Sequence, residues 1–296
     1  LEAGLGGRLD ATNVVAAPVV VLTNVGLEHT RVLGGTRELI FAEKAAVIKG
    51  GDAVFGELGD LQGQARRVCE VAECRAHMLG LDYTVEGTPA DFTVCMPGEG
   101  GRWTGLALPT SALYQVVNAG SAVAAVRLLL GELDEAAARE ALEGAAVPGR
   151  LQKLGERPLV IADGAHNPDG VRALVRSLVA LEMPGPRVGV LAMMRDKGYA
   201  EMLGILLPHL DGVVCTQVDG ARSLTAVELA GAVRAADPRG DDLAVTVEPD
   251  ARAALALARE HAGEGGSALI AGSLFLLEDL REALAPSVYL RETREG

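Results

Sequence analysis

The chain has 296 residues, of which 49% are hydrophobic and 3% aromatic, and its formal net charge is −13 at pH 7. That length suits two domains, and the shortage of aromatic residues makes Ala, Val and Leu the expected core. The negative charge and the lack of a dense Lys/Arg cluster argue against nucleic acid as a partner, because sequence-independent binding of nucleic acid depends on a basic surface.

Neither a membrane segment nor a disulfide framework is predicted. The longest apolar run, 14–27, is interrupted by polar residues and is shorter than the roughly 18 residues of a spanning helix. No two of the four cysteines have CxxC spacing; they are Cys69, Cys74, Cys95 and Cys215. Free or buried thiols in a reducing cytosol are the expected state, so we predict a cytoplasmic protein.

In chain order, short β-branched runs alternate with Ala- and Leu-rich stretches. The predicted strands include 19–23, 159–162, 188–191 and 268–271, and the predicted helices include 118–130, 170–181 and 252–261. Short, continuously apolar strands are typical of parallel sheets that helices cover on both faces. The pattern predicts a three-layer α/β architecture.

Two segments interrupt this alternation. Residues 83–108 are rich in Gly, Thr and Pro, contain the single tryptophan, Trp103, and predict a short antiparallel hairpin insertion. Near 146–149 a helical stretch ends in Pro-Gly and a new series of strands and helices begins. We therefore predict two domains, 1–147 and 148–296.

Three side chains of the first domain have types and intervals that suit a magnesium-nucleotide site. Glu2 lies at the end of an apparent strand, before the glycine-rich residues 4–7, where open α/β sheets place ligand contacts. His29 follows a second strand end, and Lys44 lies in a stretch of helical period. Each also has a plainer interpretation: a strand and turn, a structural histidine and a lysine on a helix surface.

The second domain offers Arg150 and Asp163. Asp163 ends the strand 159–162, and Asn167-Pro168 begins the next helix, where proline suits the first turn. Arg150 could clamp phosphate oxygens with its planar guanidinium, and Asp163 could accept from sugar hydroxyls. The alternatives are an ion pair between the two domains and a helix N-cap cluster.

Taken together, these blocks resemble one family. Leu1–Asn13 (LEAGLGGRLDATN), 26–30, 43–45, 114–119, 148–151, 163–168 and 272–273 are similar to the signature blocks of the folylpolyglutamate synthase/dihydrofolate synthase family, within the Mur ligase superfamily. The resemblance implies a P-loop-type parallel-sheet ATPase domain that lacks its phosphate-loop portion, followed by a Rossmann-like α/β domain.

The resemblance also implies a role for each matched residue. Glu2, His29 and Lys44 match magnesium ligands, Lys44 as a carbamate, which turns a cation into the oxygen donor that Mg²⁺ prefers. Gln115 and Asn118 match adenine contacts, and Asp10 lies in a loop near the folate and ATP sites. Arg150 matches a triphosphate contact, Asp163 a ribose or nucleotide contact, and His166 a residue of catalysis or glutamate binding. Lys44, Arg150 and His166 are the expected catalytic residues.

The chain departs from the family pattern mainly at its start. Ala3, Glu28 and Ala46 are mild differences that leave the proposed ligands unchanged. No GxxxxGK[ST] phosphate loop occurs, and the chain opens on Leu1 inside a signature block. We interpret the sequence as incomplete at its N-terminus in preference to an enzyme that evolved without the loop.

By this resemblance the intact protein transfers the γ-phosphate of ATP to a carboxylate of dihydropteroate or a folate. The α-amine of L-glutamate then attacks the acyl phosphate. ATP and Mg²⁺ are the expected cofactors, K⁺ is a further expected ion, and the expected enzyme is a monomer with its site in the cleft between the domains. The alternatives are a cell-wall Mur-type amino-acid ligase and a non-catalytic remnant or scaffold.

Overall fold

The computed structural model describes residues 1–98, 101–239 and 242–284 of the chain. The chain divides into two compact units, Leu1–Ala146 and Val147–Gly296, one residue before the boundary that the sequence predicts. Each unit combines helices with a mainly parallel sheet, so the predicted α/β class is confirmed. The four cysteines are free.

The first unit contains a parallel sheet of three strands in the order β1-β2-β3. The strands are β1 (Val19–Asn24), β2 (Asp52–Glu57) and β3 (Arg75–Met78). The helices α1 (Thr30–Leu33), α2 (Arg37–Ala45) and α3 (Gln62–Val71) follow β1 and β2. The central strand β2 is buried at five of its six residues, which suits the apolar run 53–55 at its centre.

The buried face of α2 fixes the position of Lys44. The helix starts at Thr36, whose side chain accepts from the amide of Leu39, and it buries Ile40 and Phe41 completely. Because side chains four residues apart lie on the same face of a helix, Lys44 follows Ile40 one turn later. Lys44 is accordingly only partly exposed, and it does not lie on the outer surface of the helix.

An antiparallel sheet interrupts the first unit, as the sequence predicts, but it has three strands instead of the two of a hairpin. They are β4 (Thr84–Thr88), β5 (Asp91–Met96) and β6 (Gly101–Leu106), with β5 in the middle. Two glycines weaken the alternation of β6, so its only strong signals are Trp103 and Leu106, both buried. Trp103 belongs to the same apolar cluster as Phe92.

The first unit ends with α4 (Leu113–Leu130) and α5 (Glu135–Glu143). α4 begins five residues before its predicted start at 118, and it packs against strands of both sheets, β1, β2, β4 and β5. Among the described residues, α4 is the one helix whose length and apolar composition would suffice to cross a membrane.

A buried carboxylate joins β2 to β3 in this unit. Asp52, with 6% of its side chain exposed, accepts from Arg75 Nη2 at 2.6 Å and lies 2.7 Å from His77 Nε2. Burial disfavours the ionised form of Asp52, but the hydrogen bonds from Arg75 and His77 outweigh burial and hold its pKa below the usual range.

We expect Asp52 to make folding sensitive to acid. A carboxyl group with a lowered pKa in the folded state stabilises the fold above its unfolded pKa of about 3.9, and this stabilisation is lost as the pH falls through the lower folded value. Asp52→Asn should cost about 1–3 kcal/mol at pH 7, and the difference from wild type should shrink below about pH 4 in urea titrations. The exposed Asp91→Asn is the control; a difference that stays constant with pH would contradict the expectation.

The second unit is built on a six-stranded sheet in the order β11-β10-β9-β12-β8-β7. The strands are β7 (Gln152–Glu156), β8 (Leu159–Ala162), β9 (Arg187–Leu191), β10 (Gly212–Cys215), β11 (Ala244–Val247) and β12 (Ser267–Ala271). The helices are α6 (Pro168–Leu181), α7 (Tyr199–Leu206), α8 (Ala226–Ala236), α9 (Ala251–Ala262), α10 (Leu274–Asp279) and α11 (Arg281–Leu284). Only the edge strand β7 is antiparallel to its neighbour.

Strand order in this sheet gathers three loops at one edge. β12 lies between β8 and β9 and is parallel to both. The loops that begin at Asp163, Ala192 and Gly272 follow β8, β9 and β12, respectively, and therefore leave the sheet at its carboxyl edge. The chain order of the strands reverses here, because β12, the last strand, lies between β8 and β9. Open α/β sheets bind ligands at such a point.

One prediction about the start of the chain is wrong. Leu1–Gly7 is irregular, so Glu2 does not lie at the end of a strand. The glycine-rich residues that follow are fixed by a carboxylate and a helix instead of a sheet.

Candidate functional site

The glycine-rich loop, defined as residues 4–7, is organised by the carboxylate of Asp10. Oδ2 of Asp10 accepts from the amides of Gly4 at 2.8 Å and Leu5 at 3.1 Å. Oδ1 accepts from the amide and the hydroxyl of Thr12 at 2.9 and 2.6 Å. The Thr12 hydroxyl first, and then these amides, hold the pKa of Asp10 well below its ordinary value. Asp10 is thus ionised at neutral pH and keeps the loop folded on itself.

The other side of the loop lies against α1 and the last turn of α2. A Cβ on Gly7 would lie 2.6 Å from the carbonyl oxygen of Glu43 and 2.7 Å from that of Lys44. Gly6 has a φ of +68°, and a Cβ there would lie 2.8 Å from Leu33 Cδ2. At Gly7 a side chain would collide with the backbone of α2, and at Gly6 the positive φ favours glycine. The spacing of the two glycines therefore reflects direct packing against the residues around Lys44.

The predicted magnesium ligands come from segments that this packing brings together. Gly6 and Gly7, which follow Glu2, contact α1 and α2, and these helices begin just after His29 and carry Lys44, respectively. Glu2 and His29 are exposed, and Nε2 of His29 lies 3.7 Å from a carboxylate oxygen of Glu28. These contacts hold the three segments next to one another. They do not bring the three predicted ligand side chains into contact with one another.

The donor chemistry is compatible with a hard divalent ion. In the described part of the chain, no group of three or more His, Cys, Asp and Glu side chains could hold a metal ion. The predicted set contributes only Glu2 and His29 to such a count, because Lys44 becomes an oxygen donor only after carbamylation. Two anionic oxygen donors and an imidazole would then suit Mg²⁺ or Mn²⁺.

The two predicted adenine contacts lie in the first turns of α4. Nδ2 of Asn118 donates to Oε1 of Gln115 at 2.8 Å, and both side chains are partly buried. The amide pair is held in a fixed orientation by this bond. An oriented pair of amides can recognise the donors and acceptors of a base edge.

In the second unit, Asp163 ties the turn after β8 to the segment before β7. Asp163 is 2% exposed, and its carboxylate accepts from the amides of Leu151 and Ala165, both at 2.9 Å. The amide of Gly164 donates to the carbonyl of Gly149 at 2.7 Å, and a Cβ on Gly164 would lie 2.6 Å from Nη1 of Arg150. The structure thus places Asp163 and Arg150 at the same turn, within a single unit.

His166 and the start of α6 follow directly. Nδ1 of His166 lies 2.9 Å from the carbonyl oxygen of Gly164, which can only accept, so Nδ1 carries the proton. Asn167 caps α6 by accepting from Gly170 at 2.7 Å, and Pro168 opens the helix. The predicted helix start is confirmed. The orientation of the imidazole is therefore set by the turn that also holds Asp163.

Sequence reasoning missed a pair of charges between two of the signature blocks. Nε of Arg8 lies 2.8 Å from Oε1 of Glu43, and the amide of Arg8 donates to the carbonyl of Glu43 at 3.0 Å. The available signal was a pair of opposite charges next to predicted site residues: Arg8 follows the glycine-rich loop, and Glu43 precedes Lys44. The distance of 35 positions between them concealed it.

Comparison with known proteins gives the class of the chain. Residues 149–274 match the family model of the Mur ligase glutamate ligase domain, which covers the six-stranded sheet of the second unit up to the start of α10. The crystal structure of Escherichia coli FolC with DHPP and ADP superposes with a TM-score of 0.86 at 31% identity, over 96% of this chain and 65% of that one. The fold is therefore that of a Mur-type ligase.

Two further comparisons narrow the class to one family. The Escherichia coli dihydrofolate synthase/folylpolyglutamate synthase is 36% identical over 233 residues, 77% of this chain and 53% of that protein. The Yersinia pestis bifunctional folylpolyglutamate synthase/dihydrofolate synthase, complexed with AMPPNP and Mn, has a TM-score of 0.82 at 29% identity, over 96% and 65% of the two chains. The chain belongs to the folylpolyglutamate synthase/dihydrofolate synthase family, as its signature blocks predict. It spans about half the length of the curated relatives it matches.

Proposed function

We propose that this protein is an ATP-dependent ligase that adds L-glutamate to the carboxylate of dihydropteroate, of a reduced folate, or of both. The observation that carries the proposal is the match of residues 149–274 to a glutamate ligase domain. Two features support it: the glycine-rich loop packed beside Lys44, and the turn that holds Asp163, Arg150 and His166.

The reaction has two steps. The γ-phosphoryl group of ATP passes to the substrate carboxylate, and ADP leaves. The α-amine of glutamate then attacks the acyl phosphate, loses a proton and displaces phosphate to form the amide. Phosphoryl transfer is mainly a matter of positioning and of neutralising charge. Mg²⁺, when bound, would supply that neutralisation, and Glu2, His29 and carbamylated Lys44 are the residues that would hold it.

The remaining residues bind and orient the substrates. Gln115 and Asn118 would recognise the adenine, and Arg150 would bind phosphate oxygens with its planar guanidinium. Asp163 would contact the nucleotide and also stabilise the turn after β8. His166 would act in catalysis or in binding glutamate. Asp10 would hold the loop near the folate and ATP sites. A cytoplasmic monomer that uses Mg²⁺, with K⁺ as a further ion, is the setting that we propose.

The test is transfer of labelled glutamate by the full-length protein. ATP, Mg²⁺ and bicarbonate are supplied, with dihydropteroate and a reduced folate offered separately, and reactions that lack ATP serve as controls. Incorporation into both acceptors indicates a bifunctional synthase, and incorporation into one defines the specificity. If well-folded protein labels neither acceptor, the folate assignment fails, and another ligase or a non-catalytic scaffold becomes the better explanation.

A further inference from the structure

We propose that Arg8 and Glu43 form a positioning pair for the metal ligands. The pair holds the segment that carries Glu2 at a fixed place against the turn of α2 that carries Lys44. This inference rests on the proposed function in one respect, because it takes Glu2 and Lys44 to be ligands of the same magnesium site. Neither Arg8 nor Glu43 is itself a predicted ligand.

Arg8 binds α2 through three hydrogen bonds. Its amide donates to the carbonyl of Glu43 at 3.0 Å. Its Nε lies 2.8 Å from Oε1 of Glu43, and its Nη2 donates to the carbonyl of Ala42 at 3.4 Å. The backbone hydrogen bond fixes the position of Arg8 along the axis of α2. The side-chain pair fixes the face of α2 against which Arg8 lies. Hydrogen bonds between ionised partners are stronger and more directional than neutral ones.

The segment next to Arg8 has little freedom to move. Gly7 lies so close to the helix that a single added carbon would lie within 2.7 Å of the carbonyl oxygens of both Glu43 and Lys44. At such short range, a small shift of Arg8 along the helix displaces the residues before it. Glu2 precedes this contact by only five residues, so its carboxylate moves with it.

The far side of the loop is already rigid. Asp10 binds the amides of Gly4 and Leu5, and Nζ of Lys49 donates to the carbonyl of Asn13. The loop therefore moves largely as one body. What remains to be fixed is the position of that body relative to Lys44. Lys49, just after α2, holds its Asn13 end, and the pair with Glu43 holds the end next to Gly7.

The pair is poorly suited to a purely stabilising role. The side chains of Arg8 and Glu43 are 55% and 29% exposed, and exposed ion pairs contribute little to folding stability. Residues that orient metal ligands have a different signature: their loss typically lowers metal affinity or activity about 10- to 100-fold. The two roles therefore predict different measurements.

The experiment uses full-length Arg8→Gln and Glu43→Gln with Mn²⁺ as the probe. Mn²⁺ affinity is measured by electron paramagnetic resonance with a non-hydrolysable ATP analogue, together with kcat and KM for glutamate transfer. We expect each variant to weaken Mn²⁺ binding about 10-fold and to lower kcat, with KM for the folate acceptor unchanged. The melting temperature should fall by no more than about 4 °C.

Exchanging the two charges separates positioning from simple loss of charge. The double variant Arg8→Glu with Glu43→Arg restores an ion pair between the same two segments, so its Mn²⁺ affinity should return to within about threefold of wild type. Glu135→Gln breaks a comparable exposed pair with Arg139 in the same unit. That control should leave Mn²⁺ affinity and kcat unchanged.

The outcomes distinguish this inference from the proposed function. If wild type binds Mn²⁺ but transfers no glutamate, the proposed function fails, and the Mn²⁺ affinities of the variants still decide the role of the pair. If wild type is active and both single variants bind Mn²⁺ normally, only the positioning role is overturned. A double variant no better than the worse single variant, or a wild type that binds no Mn²⁺, also overturns it.

Discussion

Replacing Lys44 by methionine should lower glutamate transfer by the full-length protein about 1,000-fold, the scale on which losing a group that stabilises transition-state charge acts. Lys44 lies on the face of α2 that continues from the buried Ile40, beside the glycine-rich loop. Its side chain makes no hydrogen bond or ion pair to any residue within 1–98, 101–239 and 242–284. A long apolar side chain can fill the same space, so we expect the fold to survive.

A second substitution tests whether Lys44 acts as a carbamate or as a cation. Lys44→Arg keeps the positive charge but cannot form the lysine carbamate, so it should be as inactive as Lys44→Met. Activity of the wild type should also depend on bicarbonate, while Lys153→Gln, which alters an exposed pair in the other unit, should behave as wild type. If Lys44→Arg retains most of its activity, Lys44 acts as a cation and the proposed ligand set is wrong.

The parts of the fold that follow from local pattern could be predicted from the sequence. β8 occupies 159–162, as its β-branched run between turn residues indicates, and α6 begins where Asn167-Pro168 predicts. The third strand of the insertion could not be predicted, because Gly101 and Gly105 remove side chains from the alternating pattern of β6. The early start of α4 was missed because residues 113–117 are not distinctively helical.

In the candidate site, too, features set by neighbouring residues could be predicted from the sequence, and contacts between distant residues could not. The capping turn around Asp163 and Asn167 is local, and its outline follows from residue types that favour turns and N-caps. The strand expected at Glu2 is absent, and Leu1–Gly7 is irregular. The contact of Gly7 with Lys44 and the pair of Arg8 with Glu43 join residues that are far apart in sequence, and only the fold brings them together.

Removing the carboxylate of Asp163 should strongly destabilise the second unit. Asp163 is 2% exposed, and Asp163→Ala leaves the buried amides of Leu151 and Ala165 without their acceptor. An unsatisfied buried donor costs about 1–3 kcal/mol, so two should cost about 2–5 kcal/mol in total. Leu151 also has a positive φ of 47°, a conformation that a bulky side chain adopts only when its surroundings hold it.

Hydrogen exchange in urea, resolved by peptide, measures this loss in the second unit alone, so unfolding of the first unit does not enter the result. Protection should fall most for peptides that contain Leu151 and Ala165. Asp169→Ala is the matched control, because that carboxylate is 58% exposed and pairs with neighbouring Arg172 on the helix surface; its effect should stay below about 0.5 kcal/mol. If Asp163→Ala abolishes glutamate transfer while protection is unchanged, the carboxylate acts through the nucleotide and not through the turn. If both are lost, the turn that holds Arg150 and His166 depends on the same buried carboxylate, and stability and activity in this unit share one structural cause.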